Sequence, residues 1–372
     1  MSVSEVREQA CAAALRELPG VTPLRLARLL DGMGPPVAWA AVRAGAHPAD
    51  RQRRFRAAAR DVDPDEVAGR YDLAGVQVLL PGRPGYPAAL DGDPGAPAVL
   101  FASGDAGVLE ARPSVAVVGT RSATPYGAKV AAELGRRLAS ADVVVVSGLA
   151  RGIDAAAHSG ALAAGPGAAP PVAVVGTGLD VPYPRQNRAL WEQVASEGAV
   201  LSEAALGTPA IPAVFPARNR IIAALADVVV VVESHRGGGS LYTADAAARR
   251  AIPVCAVPGS VLSPASAGTN ELLVEGCTPV RDADDVLVAV GLARQGKGKS
   301  VPPPAAPPGP TGPTGPLDRV QRAVWDAVDD TPTGVETVLL RTDLSLSALT
   351  AAGESLVELG LLEAGAGWWA RS

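Results

Sequence analysis

Four segments of the sequence combine glycine, a hydroxyl side chain and arginine around the start of a predicted helix. They comprise residues 119–127, 147–154, 176–188 and 233–240. Glycine lets backbone N–H groups approach a ligand, a helix N-terminus adds partial positive charge, and arginine adds a bidentate fork. This combination suits phosphate groups. Several such sites in one row suit a phosphodiester backbone.

A simpler interpretation is that each glycine-rich loop only closes the turn between a strand and a helix. For a single loop this is equally good, but turn geometry does not require so many arginines. A fifth segment, residues 215–220, places Phe215 beside Arg218 and Arg220. An aromatic ring next to arginines is what a site for single-stranded nucleic acid needs. Phe215 could equally be a core residue, and Arg220 could pair with Glu203 or Glu233.

Short valine-rich runs alternate with helical segments between residues 113 and 292, and they predict the elements that position these loops. The runs show little polar alternation, which is typical of strands buried on both faces of a parallel sheet. They are residues 115–118, 143–146, 172–175, 228–232 and 254–257. Alternating strands and helices indicate a doubly wound α/β sheet, with shorter runs at 76–80 and 98–101 as its edge strands. Ligands of such sheets bind beyond the carboxyl ends of the strands.

No catalytic or metal-binding pattern stands out. Asp154 and His158 lie one helical turn apart, which is more often a surface pair than a catalytic dyad. The three cysteines and three histidines are scattered, so we expect no zinc site and a reducing, cytoplasmic environment. An alternative function is a nucleotide-binding or nucleotide-hydrolysing enzyme that uses Asp154, Glu203 or Glu233 as acid or base.

The two ends of the chain differ from this middle part. Residues 1–70 read as helices, including a basic stretch at 51–60 that we interpret as a solvated helix face rather than a DNA contact.

Of the 24 residues 293–316, 13 are proline or glycine, which predicts a linker. Residues 317–372 read as three helices and a hairpin, a winged-helix pattern. The helix at 347–359 has no lysine or arginine, which argues against a major-groove recognition helix.

Composition limits the class of protein. The formal net charge of −5 excludes a protein coated in basic residues but not one with a local basic patch. The longest apolar runs have the length of strands, whereas a membrane helix needs about 20 residues. Residues 1–9 are charged and lack the apolar stretch of a signal peptide. We therefore expect a soluble cytoplasmic protein with no membrane contact.

The order and spacing of these segments resemble the DNA-processing protein A (DprA/Smf) family. The resemblance covers residues 76–282 and is weaker in the helical start and the tail. The segments that carry it are residues 119–121, 147–154, 176–180, 215–223, 239–241, 257–260 and 268–270.

This resemblance implies an extended Rossmann-like domain at 71–292, a helical SAM-like domain at 1–70, the linker at 293–316 and a winged-helix domain at 317–372. It also implies a homodimer that binds and protects single-stranded DNA and loads the recombinase RecA onto it during natural transformation. No catalytic activity and no cofactor are implied. The residues expected to contact nucleic acid are Gly119, Thr120, Arg121, Ser122, Gly148, Arg151, Gly176, Gly178, Phe215, Arg218, Asn219, Arg220 and Ser240.

The sequence departs from the family pattern at three places. Ala217 stands where the family usually has a basic residue, and residues 236–240 are richer in glycine than usual. Residues 249–252 replace a more typical glycine turn. These differences bear on the affinity for DNA more than on family membership.

Overall fold

The computed structural model describes residues 2–110, 112–211, 214–297, 317–329, 333–342, 344–359, 361–365 and 368–371. The chain divides into two compact units, residues 1–299 and 300–372. The first carries all the predicted site residues. The predicted four-part division of the chain stays a prediction, and most of the predicted linker lies outside the described residues.

Over residues 2–73, the structure describes five α-helices: α1 (Val3–Glu17), α2 (Pro23–Leu30), α3 (Pro35–Ala44), α4 (Arg56–Arg60) and α5 (Pro64–Leu73). Ser2 caps α1 in a capping box with Glu5, and the Thr22 hydroxyl accepts the Arg25 N–H at the start of α2. Caps of this kind satisfy N–H groups that have no partner within the helix. The predicted helix over 51–60 is wrong in its first half, because helix starts only at Arg56.

In the described part of the first unit, nine strands form the central sheet: β1 (Gln77–Leu79), β2 (Leu100–Gly104), β3 (Ser114–Val118), β4 (Val144–Ser147), β5 (Val172–Val175), β6 (Ala199–Ser202), β7 (Val228–Val231), β8 (Val254–Ala256) and β9 (Thr278–Pro279). Their order is β1-β2-β6-β5-β4-β3-β7-β8-β9. Strands β1 and β2 are antiparallel to their neighbours, and the other seven are parallel. The predicted doubly wound sheet is confirmed, although neither β6 nor β9 was predicted.

Among the residues that the structure describes, seven α-helices cover the sheet: α6 (Pro125–Ser140), α7 (Ile153–Leu162), α8 (Arg188–Glu197), α9 (Val214–Ala224), α10 (Leu241–Ala248), α11 (Ala267–Val274) and α12 (Ala283–Lys297). Successive strand residues face opposite sides. Val115 and Val117 pack with α6, α7 and α12, whereas Ala116 and Val118 pack with α9 and α10. This burial on both faces explains the uninterrupted valine runs.

The second unit contains α13 (Arg319–Ala327), β10 (Thr333–Gly334), α14 (Val335–Arg341), α15 (Leu346–Glu358), β11 (Leu362–Gly365) and β12 (Trp368–Arg371). Its strands form an antiparallel sheet in the order β10-β12-β11. Trp369 is buried in the core of this unit with Trp325 and Leu349. The winged-helix assignment stays a prediction. Within the described part of both units, no helix is long and apolar enough to span a membrane.

Candidate nucleic-acid interface

A cleft opens where the order of the parallel strands reverses. Strands β4 and β7 flank β3, so the connections after β3 and β7 leave the sheet on opposite sides. This switch point is where open α/β sheets bind ligands. The cleft has a volume of about 640 Å³. Seven predicted site residues line it: Gly119, Thr120, Arg121, Phe215, Arg218, Asn219 and Ser240.

Strand β7 fixes the loop that carries Arg121. The Thr120 N–H donates to the Glu233 carbonyl oxygen over 2.8 Å. The buried Glu233 carboxylate accepts the Thr124 N–H over 2.9 Å and also the Thr124 hydroxyl. Gly119 must be glycine here, because a Cβ atom would lie 2.5 Å from the Ile153 side chain. These contacts hold the Arg121 backbone while its side chain stays exposed.

The Arg121 guanidinium group rests on one aromatic ring, and a second ring packs against the first. Its central carbon lies 4.7 Å from the centroid of the half-buried Phe215 ring, within cation–π range. The exposed Tyr183 ring lies 5.5 Å from Phe215 at an interplanar angle of 35°. Phe215 is therefore neither a plain core residue nor an open platform for a base. Tyr183 was not among the predicted site residues, although it lies in the segment after β5.

Below this layer, Arg218 and Asp154 are both buried, and their opposite charges act on each other. The Arg218 guanidinium donates to the carbonyl oxygens of Gly148, over 2.8 Å, and Val174. Asp154 accepts the Gly148 N–H over 3.1 Å. Burial lowers the pKa of Arg218 to about 10, an effect that the Asp154 charge opposes. Burial raises the pKa of the Asp154 carboxyl, against the effect of Arg218.

Arg218 therefore remains cationic at neutral pH and places a positive charge in the floor of the cleft. Its hydrogen bonds join the loop after β4 to strand β5. Gly148 cannot carry a side chain, because a Cβ atom would lie 2.4 Å from the Arg218 guanidinium. Arg218 thus positions these loops. Its direct contact with nucleic acid stays a prediction.

Asn219, Arg220 and Ser240 make structural contacts on the same side of the cleft. Arg220 pairs with Glu203 over 2.7 Å, the structural alternative that the sequence left open. The Asn219 side-chain amide donates to the Gly239 carbonyl oxygen over 3.2 Å, and the buried Ser240 hydroxyl donates to Ser234 over 2.9 Å. The Asn219 bond connects helix α9 to the glycine-rich loop after β7, and the Ser240 bond closes that loop on itself.

The other predicted site residues lie at the neighbouring strand ends. Gly176 and Gly178 are buried after β5, whereas Ser122 and Arg151 are exposed. Arg185 lies in the segment 176–188 but was not among the predicted contact residues, and it is also exposed after β5. Among the described residues, Arg121, Arg151 and Arg185 have no carboxylate partner. Guanidinium groups without a carboxylate partner can bind anions, so these arginines make this edge of the sheet suitable for an anionic ligand.

The carboxylates of the enzymatic alternative are all engaged. Asp154 faces Arg218, Glu203 pairs with Arg220, and Glu233 binds Thr124. His158 is fully buried, and burial lowers its pKa to about 3. Groups held in this way are poorly placed to exchange protons with a substrate. In the part of the chain that is described, no group of three or more His, Cys, Asp or Glu side chains could hold a metal ion.

Comparison with known proteins identifies similar sequences. A family model for DNA recombination-mediator protein A matches residues 77–291, more than half of the chain. DNA processing protein DprA of Streptococcus pneumoniae is 42% identical over 202 residues, which cover 54% of this chain and 70% of that protein. Protein Smf of Synechocystis is 32% identical over 310 residues, 80% of this chain and 77% of that protein. The match to the putative DprA of Mycobacterium tuberculosis, 41% identical, covers 62% of this chain and 57% of that protein.

Two solved structures share the fold. DprA of Streptococcus pneumoniae matches with a TM-score of 0.63 and 31% identity, over 77% of this chain and 98% of the other. A structure described as giving insight into the single-stranded DNA binding mode of DNA processing protein A from Helicobacter pylori matches with a TM-score of 0.52 and 30% identity. That match covers 59% of this chain and 96% of the other. The fold around the cleft is therefore shared with these proteins.

Proposed function

The chain belongs to the DNA recombination-mediator protein A family, and from this premise we propose that it is a non-enzymatic, cytoplasmic protein that binds single-stranded DNA at the cleft beside Arg121. We propose further that it acts as a homodimer, protects incoming single strands and loads RecA recombinase onto them during natural transformation.

One observation carries the DNA-binding part of this proposal. Arg121 is exposed at the switch point of the sheet, its loop is fixed from below, and its guanidinium rests on Phe215. A fixed cation at a glycine-lined edge suits a phosphate group, and the exposed Arg151 and Arg185 continue the charge toward the ends of β4 and β5. The similarity to a Helicobacter pylori protein described as binding single-stranded DNA supports the same ligand class.

The test is binding of fluorescent oligo(dT), compared with a duplex of the same length, at two salt concentrations. Wild type is expected to prefer the single strand, with a salt slope of about −0.7 per phosphate contacted. The Arg121→Ala variant is expected to bind about ten- to a hundredfold more weakly, since a charged hydrogen bond contributes roughly 1.5–3 kcal/mol. Arg136→Ala is the matched control, because Arg136 is exposed and paired with Glu133 on α6.

Equal binding by the Arg121→Ala variant and the control would contradict the assignment of the cleft. The enzymatic alternative predicts turnover of a nucleotide that is lost in the Glu233→Gln variant. The RecA-loading part is tested separately, by the rate at which RecA displaces a single-strand binding protein with and without wild-type protein. No acceleration would remove that part and leave DNA binding intact.

A further inference from the structure

The helical start of the chain carries a second concentration of positive charge. Residues 25–60 contain eight arginines, no lysine and two acidic residues, in a protein whose net charge is −5. Six of these arginines lie on α3, on α4 and in the segment between them. We call them the arginine surface: Arg43, Arg51, Arg53, Arg54, Arg56 and Arg60. All are exposed except Arg56, which is half-buried.

An acidic residue next to these arginines in the sequence, Asp50, binds backbone N–H groups and, among the described residues, does not pair with an arginine side chain. Asp50, which precedes the arginines, is buried, and its carboxylate accepts the N–H groups of Arg54, over 2.9 Å, and Phe55, over 3.2 Å. This acid is used to shape the loop. Arg53 has a φ of +53°, an uncommon conformation for a residue with a side chain, which breaks the helix predicted here.

The side chains of this loop converge on the end of α3. Gly45 caps α3 in the left-handed conformation. A Cβ atom there would lie 2.7 Å from Cδ of Arg56 and 3.3 Å from Cδ of Arg53. Both arginine stems therefore cross the same glycine, on the helix that also carries Arg43. The loop and the start of α4 therefore bring at least these two charges together at the end of α3.

Several exposed arginines elsewhere in this unit form ion pairs with carboxylates. Arg83 pairs with Glu8 over 2.7 Å, Arg136 with Glu133 over 2.6 Å and Arg281 with Asp285 over 2.8 Å. Within the described ranges, no arginine of the arginine surface has a carboxylate partner. Arg121 in the cleft shares this property, as do Arg151 and Arg185 at the neighbouring strand ends.

The helical start is attached to the edge of the sheet where the cleft opens. The Arg16 side chain, at the end of α1, donates to the Glu203 carbonyl oxygen, just after β6, over 3.0 Å. Strand β6 is parallel to β5, so its carboxyl end lies at the same edge as the cleft. A DNA strand that leaves the cleft and passes the ends of β4 and β5 therefore runs toward the helical start of the chain.

From these observations we infer that the arginine surface is a second site for the phosphodiester backbone of DNA, which revises the sequence-based interpretation of residues 51–60 as a solvated helix face. It binds through forked guanidinium–phosphate contacts and without reading sequence. The inference rests on the proposed function, because it extends the DNA contact beyond the cleft. The phosphates could belong to the strand held in the cleft or to a separate duplex.

The experiment uses the full chain and the triple variant Arg51→Gln, Arg53→Gln and Arg54→Gln. Its matched control is Arg83→Gln, Arg136→Gln and Arg281→Gln, which removes the same charge from paired positions. Binding is measured by fluorescence anisotropy over a range of salt, with oligo(dT) of about six and about forty nucleotides and with a duplex. Circular dichroism checks that both variants fold.

The triple variant is expected to bind the long oligo(dT) about tenfold more weakly, with a salt slope shallower by about 2, since each phosphate contributes about 0.7. Binding of the short oligo(dT) is expected to stay at the wild-type value. Loss of duplex binding alone would assign the surface to a separate duplex.

Unchanged affinity and salt slope for both long ligands would overturn the inference, and so would an equal loss in the control. Binding of anionic vesicles in place of DNA would overturn it as well. If the cleft proposal fails instead, the short oligo(dT) does not bind and Arg121→Ala has no effect. In that case the arginine-surface variant still weakens binding of long DNA.

Discussion

The guanidinium carbon of Arg121 lies 4.7 Å from the centroid of the Phe215 ring, so the cation covers the aromatic face that a base would need. Tyr183 approaches the same ring at 5.5 Å. Arg121, on the loop after β3, and Phe215, on α9, belong to different elements. Their contact makes the position of the phosphate-binding cation depend on the packing of α9.

This contact predicts that Phe215 acts through Arg121. The Phe215→Leu variant should weaken binding of single-stranded DNA by about two- to fivefold, because an exposed cation–π contact is worth roughly 0.5–1 kcal/mol. The same loss should appear with an abasic oligonucleotide, and it should vanish in an Arg121→Ala background. Affinities of the four proteins for both oligonucleotides check this. A loss confined to the oligonucleotide with bases would show instead that Phe215 stacks on a base.

The buried pair below the cleft predicts a large effect on stability. The Arg218→Met variant should lower the free energy of unfolding by about 3–5 kcal/mol, because it leaves the Asp154 carboxylate buried without its opposite charge. Urea unfolding followed by circular dichroism measures this. The control is Arg188→Met, since Arg188 forms an exposed pair with Glu192 that should contribute about 0–1 kcal/mol. Similar losses in the two variants would refute the structural role of the buried pair.

The burial of His158 predicts that the stability of the protein depends on pH. Burial lowers its folded-state pKa to about 3, from the ordinary 6.5. Between these values the unfolded chain binds a proton that the folded protein does not. The stability contributed by neutral His158 is therefore complete above pH 6.5 and is lost as the pH falls toward 3.

The measurement is the free energy of unfolding from pH 7 to pH 5, compared between wild type and the His158→Leu variant. Below pH 6.5 wild type should lose up to about 1.4 kcal/mol per pH unit more than the variant. The exposed His235 provides the control, and His235→Gln should keep the wild-type slope. If the free energy of unfolding changes with pH in the same way for wild type and His158→Leu, then His158 has the same pKa in the folded and the unfolded state.

The sheet could be predicted from the sequence because its central strands are buried on both faces and read as valine runs. Strand β6 was missed because Ala199 and Ser202 flank only two larger apolar residues. The loop with Arg121 was predicted because glycine and arginine directly follow a strand. The burial of Arg218 could not be predicted, since it depends on where α9 crosses β4 and β5. The same holds for the contact of Phe215 with Arg121, which joins elements far apart in the chain.

Thr124 provides a last prediction, because it joins the arginine loop to the sheet and also caps α6. Its hydroxyl donates to the Glu233 carboxylate and accepts the Gly127 N–H over 3.1 Å. Thr124→Val should lower the free energy of unfolding by about 1–2 kcal/mol through the lost cap. It should also weaken binding of single-stranded DNA, because the loop that carries Arg121 loses one of its ties to β7.

Thr124→Ser keeps the hydroxyl and should restore both properties to near the wild-type values. Urea unfolding and oligo(dT) anisotropy on the same samples separate stability from binding. If Thr124→Ser restores stability but not affinity, the loop is positioned by the methyl group rather than by the hydrogen bond to Glu233. If Thr124→Val binds DNA like wild type, the backbone bond from Thr120 to the Glu233 carbonyl oxygen is sufficient to hold Arg121 in place.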